Sequence, residues 1–221
     1  MSHHRFQRLT AVLNKRQPDL TVVMDNVHKP HNLAAIVRTC DAVGILEAHA
    51  VSSRPSIRLS QKAAGGCKQW VNIKIHQTIQ DAYNHLRQRG FNIYAAHFDQ
   101  QARDFRQFDY TLPTAIVVGA ELDGISTTAV DHCDGSIIIP MVGLVQSLNV
   151  SVATALILFE AQRQRQEAGM YASPRLDRRI YGYLLFEWLH PKVAAYCQKH
   201  QLPYPKINDN GDIIEPLADR I

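Results

Sequence analysis

Arg38 stands out in the stretch 31–43. Leu33, Ile36, Val37 and Cys40 recur at helical spacing and form one apolar stripe; Arg38 lies off it, with small Ala34 and Ala35 beside it. A guanidinium has a pKa above ~12, so it serves as a fixed charge and donor rather than as a base. Its plain alternative is a surface arginine paired with Asp41 three residues on, worth a few tenths of a kcal/mol. Asn32 opens the same stretch and reads equally well as a helix N-cap. Glu121 lies between Gly119 and Gly124, after an apolar strand. A carboxylate there accepts backbone amides and shapes the loop, or serves as a helix-start acid favoured by the dipole. Ser147 and Asn149 flank Leu148 at the start of a long apolar helix. Ser147 reads as its N-cap, and a helix N-terminus offers free N–H groups to an anion.

These residues must be positioned by the elements around them, and the chain is organised about residues 136–165. Ile137 to Ile139 read as a short strand ending at Pro140, followed by an apolar loop, Met141 to Gln146. In the helix that follows, Leu148, Val152, Ala155, Leu156 and Phe159 form one apolar stripe. Surface loops are normally polar, so the apolar loop is expected to be covered by more chain or by a ligand. Further strands are predicted at Leu20–Met24, Ala48–Val51, Val71–Ile75, Phe91–His97, Thr114–Gly119 and Ser136–Pro140. Helices are predicted at 31–43, 78–89 and 126–133, with Gly44 and Gly90 as stops and the long helix ending near Gly169. The alternation predicts an α/β fold, Rossmann-like, with a mostly parallel sheet covered on both faces. No GxGxxG and no GxxxxGK[ST] is present. Ser52–Lys68, polar and basic, reads as a surface segment near a site or a loop with a short helix. Residues 3–16 predict a basic N-terminal helix with Phe6, Leu9, Val12 and Leu13 on one face; 175–189 and 191–201 predict two more helices, and Asn210-Gly211 a turn in the tail. The organisation expected is an N-terminal extension (1–19), a core (20–168) and a C-terminal extension (169–221).

Composition narrows the class. Apolar residues make up 46% of the 221, and no run approaches the ~18 of a membrane span. MSHHRFQRL has no signal-peptide core. Cys40, Cys67, Cys133 and Cys197 are scattered without a CxxC, which suggests neither zinc nor disulfides and fits a cytoplasmic protein. The net charge of +4 is unevenly spread. Residues 1–20 hold four basic and one acidic side chain, 21–160 hold 11 and 12, 161–206 hold 8 and 3, and 207–221 hold 1 and 4. A nearly neutral centre with positive flanks suits a catalytic core with extensions that grip RNA; solvated helix faces are the alternative.

IIIPMVGLVQSLNVSVA (137–153), VVGAELDGIS (117–126) and HKPHNLAAIVRTCDAVG (28–44) resemble the third, second and first motifs of the SPOUT methyltransferases. KRQPDL (15–20), EAQRQRQEAGMY (160–171) and LPYP (202–205) extend the likeness towards the TrmH-type tRNA guanosine 2′-O-methyltransferases; Ser173–Gln201 is least similar. The resemblance implies that the last part of the core threads through a loop as a trefoil knot, which periodicity alone does not predict. It also implies S-adenosylmethionine as cofactor, held bent by Ala96, Gly119, Ile139 and Leu148 with Met141 close by. For Ile139 and Leu148 plain core packing is the competing reading, and glycine at Gly119 lets a backbone approach a ligand. The catalytic set implied is Arg38, Asn32, Glu121, Ser147 and Asn149, with Arg38 stabilising the forming alkoxide. Arg8, Arg16, His31, Arg163 and Arg165 are expected on tRNA. The reaction implied is 2′-O-methylation of a D-loop guanosine by a homodimer whose site draws on both subunits, without a metal. The alternatives are a knotted enzyme acting on ribosomal RNA or another tRNA nucleotide, and a non-catalytic RNA-binding protein of the same fold.

Overall fold

The computed structural model describes residues 3–52 and 70–215. Its elements in order are α1 (His3–Leu13), β1 (Leu20–Asp25), α2 (Pro30–Ala42), β2 (Glu47–Val51), β3 (Asn72–His76), α3 (Ile79–Gln88), β4 (Asn92–Ala95), β5 (Arg103–Asp104), β6 (Thr114–Val118), α4 (Thr127–Asp131), β7 (Gly135–Ile138), α5 (Val150–Glu167), α6 (Arg178–Leu189) and α7 (Pro191–Lys199). They fall into two compact units, residues 17–170 and residues 1–16 with 171–221. The segment expected as a polar loop at 52–68 lies, after Ser52, outside the described residues.

In the larger unit the strands form one seven-stranded sheet in the order β3-β2-β1-β6-β4-β7-β5. Every pairing is parallel. β1 (LTVVMD) and β6 (TAIVV) lie in the middle and are buried along their whole length. Near-continuous Val and Ile runs are what a strand covered on both faces requires. β5, two residues on the sheet edge, was not expected; a strand that short leaves no period to read. Gly44, Gly90 and Gly169, at φ 85°, 78° and 72°, stand just past the ends of α2, α3 and α5, as expected of helix stops.

α5 departs from expectation on two counts. Its N-cap is Asn149, whose Oδ1 accepts from the Ser151 backbone N–H at 2.9 Å and from the Ser151 hydroxyl at 2.6 Å; Ser147 is left in the preceding loop. The stripe Val152, Leu156 and Phe159 is not the core face: these residues are 47%, 42% and 49% exposed. Thr154, Ile157, Leu158, Ala161 and Arg165 are buried instead. The helix is apolar on two sides, so periodicity finds a face without telling which side meets the sheet.

In the smaller unit α1 packs on α6 and α6 on α7. Leu9, Leu13, Phe186, Trp188 and Leu189 are buried, whereas Val12 is 40% exposed. The tail turns at 208–212, where Gly211 N donates to Asn208 O, and Ile207 pairs with Ile213. Among the described residues no helix is long and apolar enough to cross a membrane.

Candidate active site

β6, β4 and β7 are neighbours, and their carboxyl ends, Val118, Ala95 and Ile138, open onto one cleft of about 450 Å³. Parallel sheets bind ligands beyond the carboxyl ends of their strands, and 300–1,000 Å³ is the usual size of a small-molecule site. Ala96, Gly119, Ile139, Met141 and Leu148 all line the cleft, as do Glu121, Ser147 and Asn149. His97 and Phe98, the latter 76% exposed, line it too and were not anticipated. They follow directly on Ala96 past the end of β4, which is the signal that was available.

The loop after β6 is closed on itself. Ala120 and Gly124 exchange backbone hydrogen bonds of 2.9 Å in both directions. A Cβ on Gly119 would lie 2.0 Å from the Gly124 carbonyl oxygen. Glycine is therefore required at 119 by the chain's own turn, before any ligand is considered. Buried Asp25, at the end of β1, anchors the far side: its Oδ2 accepts from Ser126 N at 2.8 Å, and Oδ1 from Asn26 Nδ2 at 2.9 Å.

Glu121 gathers the starts of two helices. Its Oε1 accepts from Asn32 Nδ2 at 2.9 Å and from Asn149 Nδ2 at 2.6 Å, and Asn149 Nδ2 also lies 3.3 Å from Asn32 Oδ1. Oε2 accepts from Lys29 Nζ, the contribution of HKPHN that the sequence reading missed. The expected backbone amides are not the partners of Glu121, and α4 begins too late for a helix-start role. The hydrogen bonds from Lys29 and Asn32 hold the Glu121 carboxyl below its ordinary pKa, so it stays ionised. Asn32 is not the N-cap of α2; Lys29 holds that position, and Asn32 is buried in the first turn with its amide turned to Glu121.

Arg38 lies further along α2, exposed, and among the described residues it has no hydrogen-bond or ion-pair partner; the alternative pairing with Asp41 is not made. It is not among the residues lining the cleft of its own chain. Of the cations expected on RNA, Arg8 and His31 are exposed. Arg163 is exposed but bridges Glu160 (2.8 Å) and Glu167 (2.7 Å). Two require correction. Arg165 is fully buried, its guanidinium donating to Asp19 Oδ1 (2.6 Å), Gln17 Oε1 (3.0 Å) and the carbonyls of Tyr110 (2.8 Å), Asp19 (3.0 Å) and Leu112 (3.1 Å). Arg16 is also buried, 5.3 Å from the centroid of Trp188. A guanidinium without solvent exposure holds the fold and presents nothing to a phosphate.

A parallel α/β sheet, a closed glycine loop and a cleft at the strand ends rimmed by an amide–carboxylate cluster define a small-molecule-binding domain that has no dinucleotide fingerprint. Comparison with known families gives the particular one: residues 19–159 match the SpoU rRNA Methylase family and residues 163–216 its C-terminal companion, so the chain belongs to the SpoU methylase family. A tRNA (guanosine(18)-2′-O)-methyltransferase of Thermus thermophilus is 54% identical over 84% of this chain and 95% of its own. One of Escherichia coli is 50% identical over 96% and 94%. Among solved structures, the Aquifex aeolicus TrmH/SpoU tRNA modifying enzyme superposes with a TM-score of 0.80 at 43% identity, over 86% of this chain and 97% of that one. The SpoU methyltransferase AviRb of Streptomyces viridochromogenes, in complex with AdoMet, superposes at 0.62 with 25% identity, over 68% and 59%.

Proposed function

We propose that this protein methylates the ribose 2′-hydroxyl of guanosine 18 in the D-loop of tRNA, using S-adenosylmethionine. The observation that carries the reading is 54% and 50% identity, over 84% and 96% of this chain, to two enzymes of that activity, in a chain whose cleft-lining Glu121 and Asn149 meet Asn32.

The cleft fits the cofactor in size and lining: it is bounded by the loop 119–124, the segment 139–148 and apolar side chains, with His97 and Glu121 the ionisable groups among its lining residues. When bound there, S-adenosylmethionine supplies an electrophilic methyl group. The chain's own part is placement and electrostatics. Ala96, Gly119, Ile139, Met141 and Leu148 hold the cofactor. Glu121 has its acceptor sites filled by Asn32, Asn149 and Lys29, so it acts as a positioning residue that fixes the loop 119–124 to the starts of α2 and α5. Ser147, freed from capping, faces the cleft and supports the ribose or its phosphate. Arg38 stabilises charge growing on the 2′-oxygen and fixes the adjacent phosphate, which helps receive the proton. No step requires a metal.

The catalytic unit is a homodimer. Supporting this, Leu122, Val142, Leu144, Val145, Val152, Leu156 and Phe159 are all at least 42% exposed, a large apolar surface on one unit of a single chain. An Arg38 without a partner among the described residues, and outside its own cleft, fits a site completed by the second subunit. The path from β7 through 140–149 into α5 is read as the trefoil knot of the family. Arg8, His31 and Arg163 contact the tRNA backbone.

The test is transfer of labelled methyl from S-adenosylmethionine to an unmodified tRNA transcript, with the modified ribose mapped and Arg38→Ala run beside wild type. Label on guanosine 18, lost with Arg38→Ala, supports substrate, reaction and residue together. Label on ribosomal RNA alone, or cofactor binding without any transfer, overturns the assignment.

A further inference from the structure

Beyond β1 on the side of the sheet away from the cleft, the β2–β3 edge carries a second group of side chains that methyl transfer does not use. Glu47 and His49 are two apart on β2 and so share one face of the sheet; Lys74 and His76 share it on β3, in register with His49 and Val51. α3 brings His85 over that face. Glu47 Oε1 lies 3.7 Å from His49 Nε2 and 3.9 Å from His85 Nε2, and one ligand atom from each of the three residues lies within 4.8 Å of the other two. His49 is buried, and its other ring nitrogen is 3.0 Å from His76 Nε2.

We infer that Glu47, His49 and His85 form a binding site for a divalent transition ion of the Zn²⁺ or Co²⁺ class. Four-coordinate bonds of about 2.0–2.1 Å set ligand atoms roughly 3.3 Å apart, so the carboxylate–imidazole separations of 3.7 and 3.9 Å and a set that lies within 4.8 Å overall close onto an ion by side-chain adjustment. Two imidazoles and one carboxylate suit such ions, while Mg²⁺ and Ca²⁺ prefer all-oxygen shells. His76 supplies what a ligating histidine usually has: an acceptor for the distal N–H, which leaves the His49 Nε2 lone pair aimed at Glu47 and His85. A neutral imidazole is the ligating form.

The niche already holds a cation. Arg89 Nη1 sits 2.9 Å from Glu47 Oε1 and 3.4 Å from His85 Nε2, between two of the three ligands. Its side chain is 39% exposed, so it has room to swing into solvent when an ion enters. Lys74 Nζ, 3.3 Å from His85 Nε2, stays as a repelling neighbour that weakens the site. Asn72 holds Glu47 Oε2 at 3.0 Å and leaves Oε1 for the ion. The bound ion ties α3 to the edge of the sheet and takes no part in methyl transfer. The absence of CxxC spacing gave no hint of it, because two ligands share β2 and the third comes from α3, further along the chain.

The test is a Co²⁺ titration of the full chain carrying His3→Gln and His4→Gln, so that the N-terminal pair does not contribute. The expected result is a visible d–d absorption band with the intensity of four-coordinate cobalt, displaced by Zn²⁺ but not by Mg²⁺. Arg89→Ala should tighten binding, since it removes the competing cation. His85→Gln and Glu47→Gln, both at partly exposed positions, should each weaken it by more than the roughly 10–100-fold that losing a supporting hydrogen bond costs. No band, or a band unchanged in both His85→Gln and Glu47→Gln while circular dichroism stays native, overturns the site.

Discussion

Arg165 decides between a reading from charge and a reading from burial, because the sequence suggests a tRNA contact and the structure a fold anchor. Replacing it with alanine takes the guanidinium out of the cluster: Asp19 loses an ion pair of 2.6 Å, and the carbonyls of Tyr110, Leu112 and Asp19 lose hydrogen bonds of 2.8–3.1 Å. Removing one partner of a buried pair typically costs 3–5 kcal/mol. Asp19 is 19% exposed and regains some water, so the lower part of that range, about 3–4 kcal/mol, is expected. In a chain of this size each kcal/mol moves the Tm by about 2–4 °C, which gives a drop of roughly 6–16 °C. Arg165→Lys keeps the charge but not the planar fork and should recover only part of the loss. Thermal melts by circular dichroism measure this, with tRNA affinity taken below the variant's melting range. The reasoning is refuted by an Arg165→Ala protein that melts within about 2 °C of wild type yet binds tRNA clearly less well.

Arg38→Ala should leave the stability within about 0.5 kcal/mol of wild type, since no partner is lost, while single-turnover methyl transfer falls by at least ~10²-fold; a large stability change would point to a structural arginine. Arg38→Lys should stay well below wild-type turnover, and near-normal rates would remove the geometric role assigned to the fork. Glu121→Ala frees Asn32, Asn149 and Lys29 together, so kcat should fall by roughly 10–100-fold with little loss of cofactor affinity; an isolated loss of cofactor affinity would argue for direct ligand contact instead. Phe159→Asp, on the exposed face of α5, should yield a folded monomer with low activity in sedimentation velocity and transfer assays, and an unchanged dimer would send the interface elsewhere. Arg163→Ala leaves Glu160 and Glu167 unneutralised, so KM for tRNA should rise more than single-turnover chemistry slows; the opposite split would move Arg163 into the site.

What was legible in the sequence follows from how local each constraint is. Gly44, Gly90 and Gly169 announced helix ends because a positive φ is a property of one residue. β1 and β6 were visible because a doubly covered strand must be apolar throughout. The cleft residues came from the family motifs alone; nothing in their spacing separates Ile139 or Leu148 from ordinary core. What stayed hidden depends on distant partners. Arg16 and Arg165 read as surface cations because a buried guanidinium needs acceptors from several turns of chain, such as Asp19, Tyr110 and Leu112 around Arg165. Asn32 looked like a cap because its true partner, Glu121, lies 89 residues on. The need for glycine at 119 has a further cause that the sequence did not show: Gly124, five residues on, closes against it within the chain's own turn.

The two apolar sides of α5 have a consequence for how this protein responds to dilution. One side, with Ile157, Leu158 and Ala161, is satisfied within the chain; the other, with Val152, Leu156 and Phe159, is satisfied only when something arrives to cover it. If a second copy does so, mass action enters both folding and catalysis. Specific activity then falls as protomer concentration drops below the dissociation constant, and the melting temperature rises with concentration. The number of copies in the cell would set the fraction of active enzyme, with no regulator beyond the helix itself.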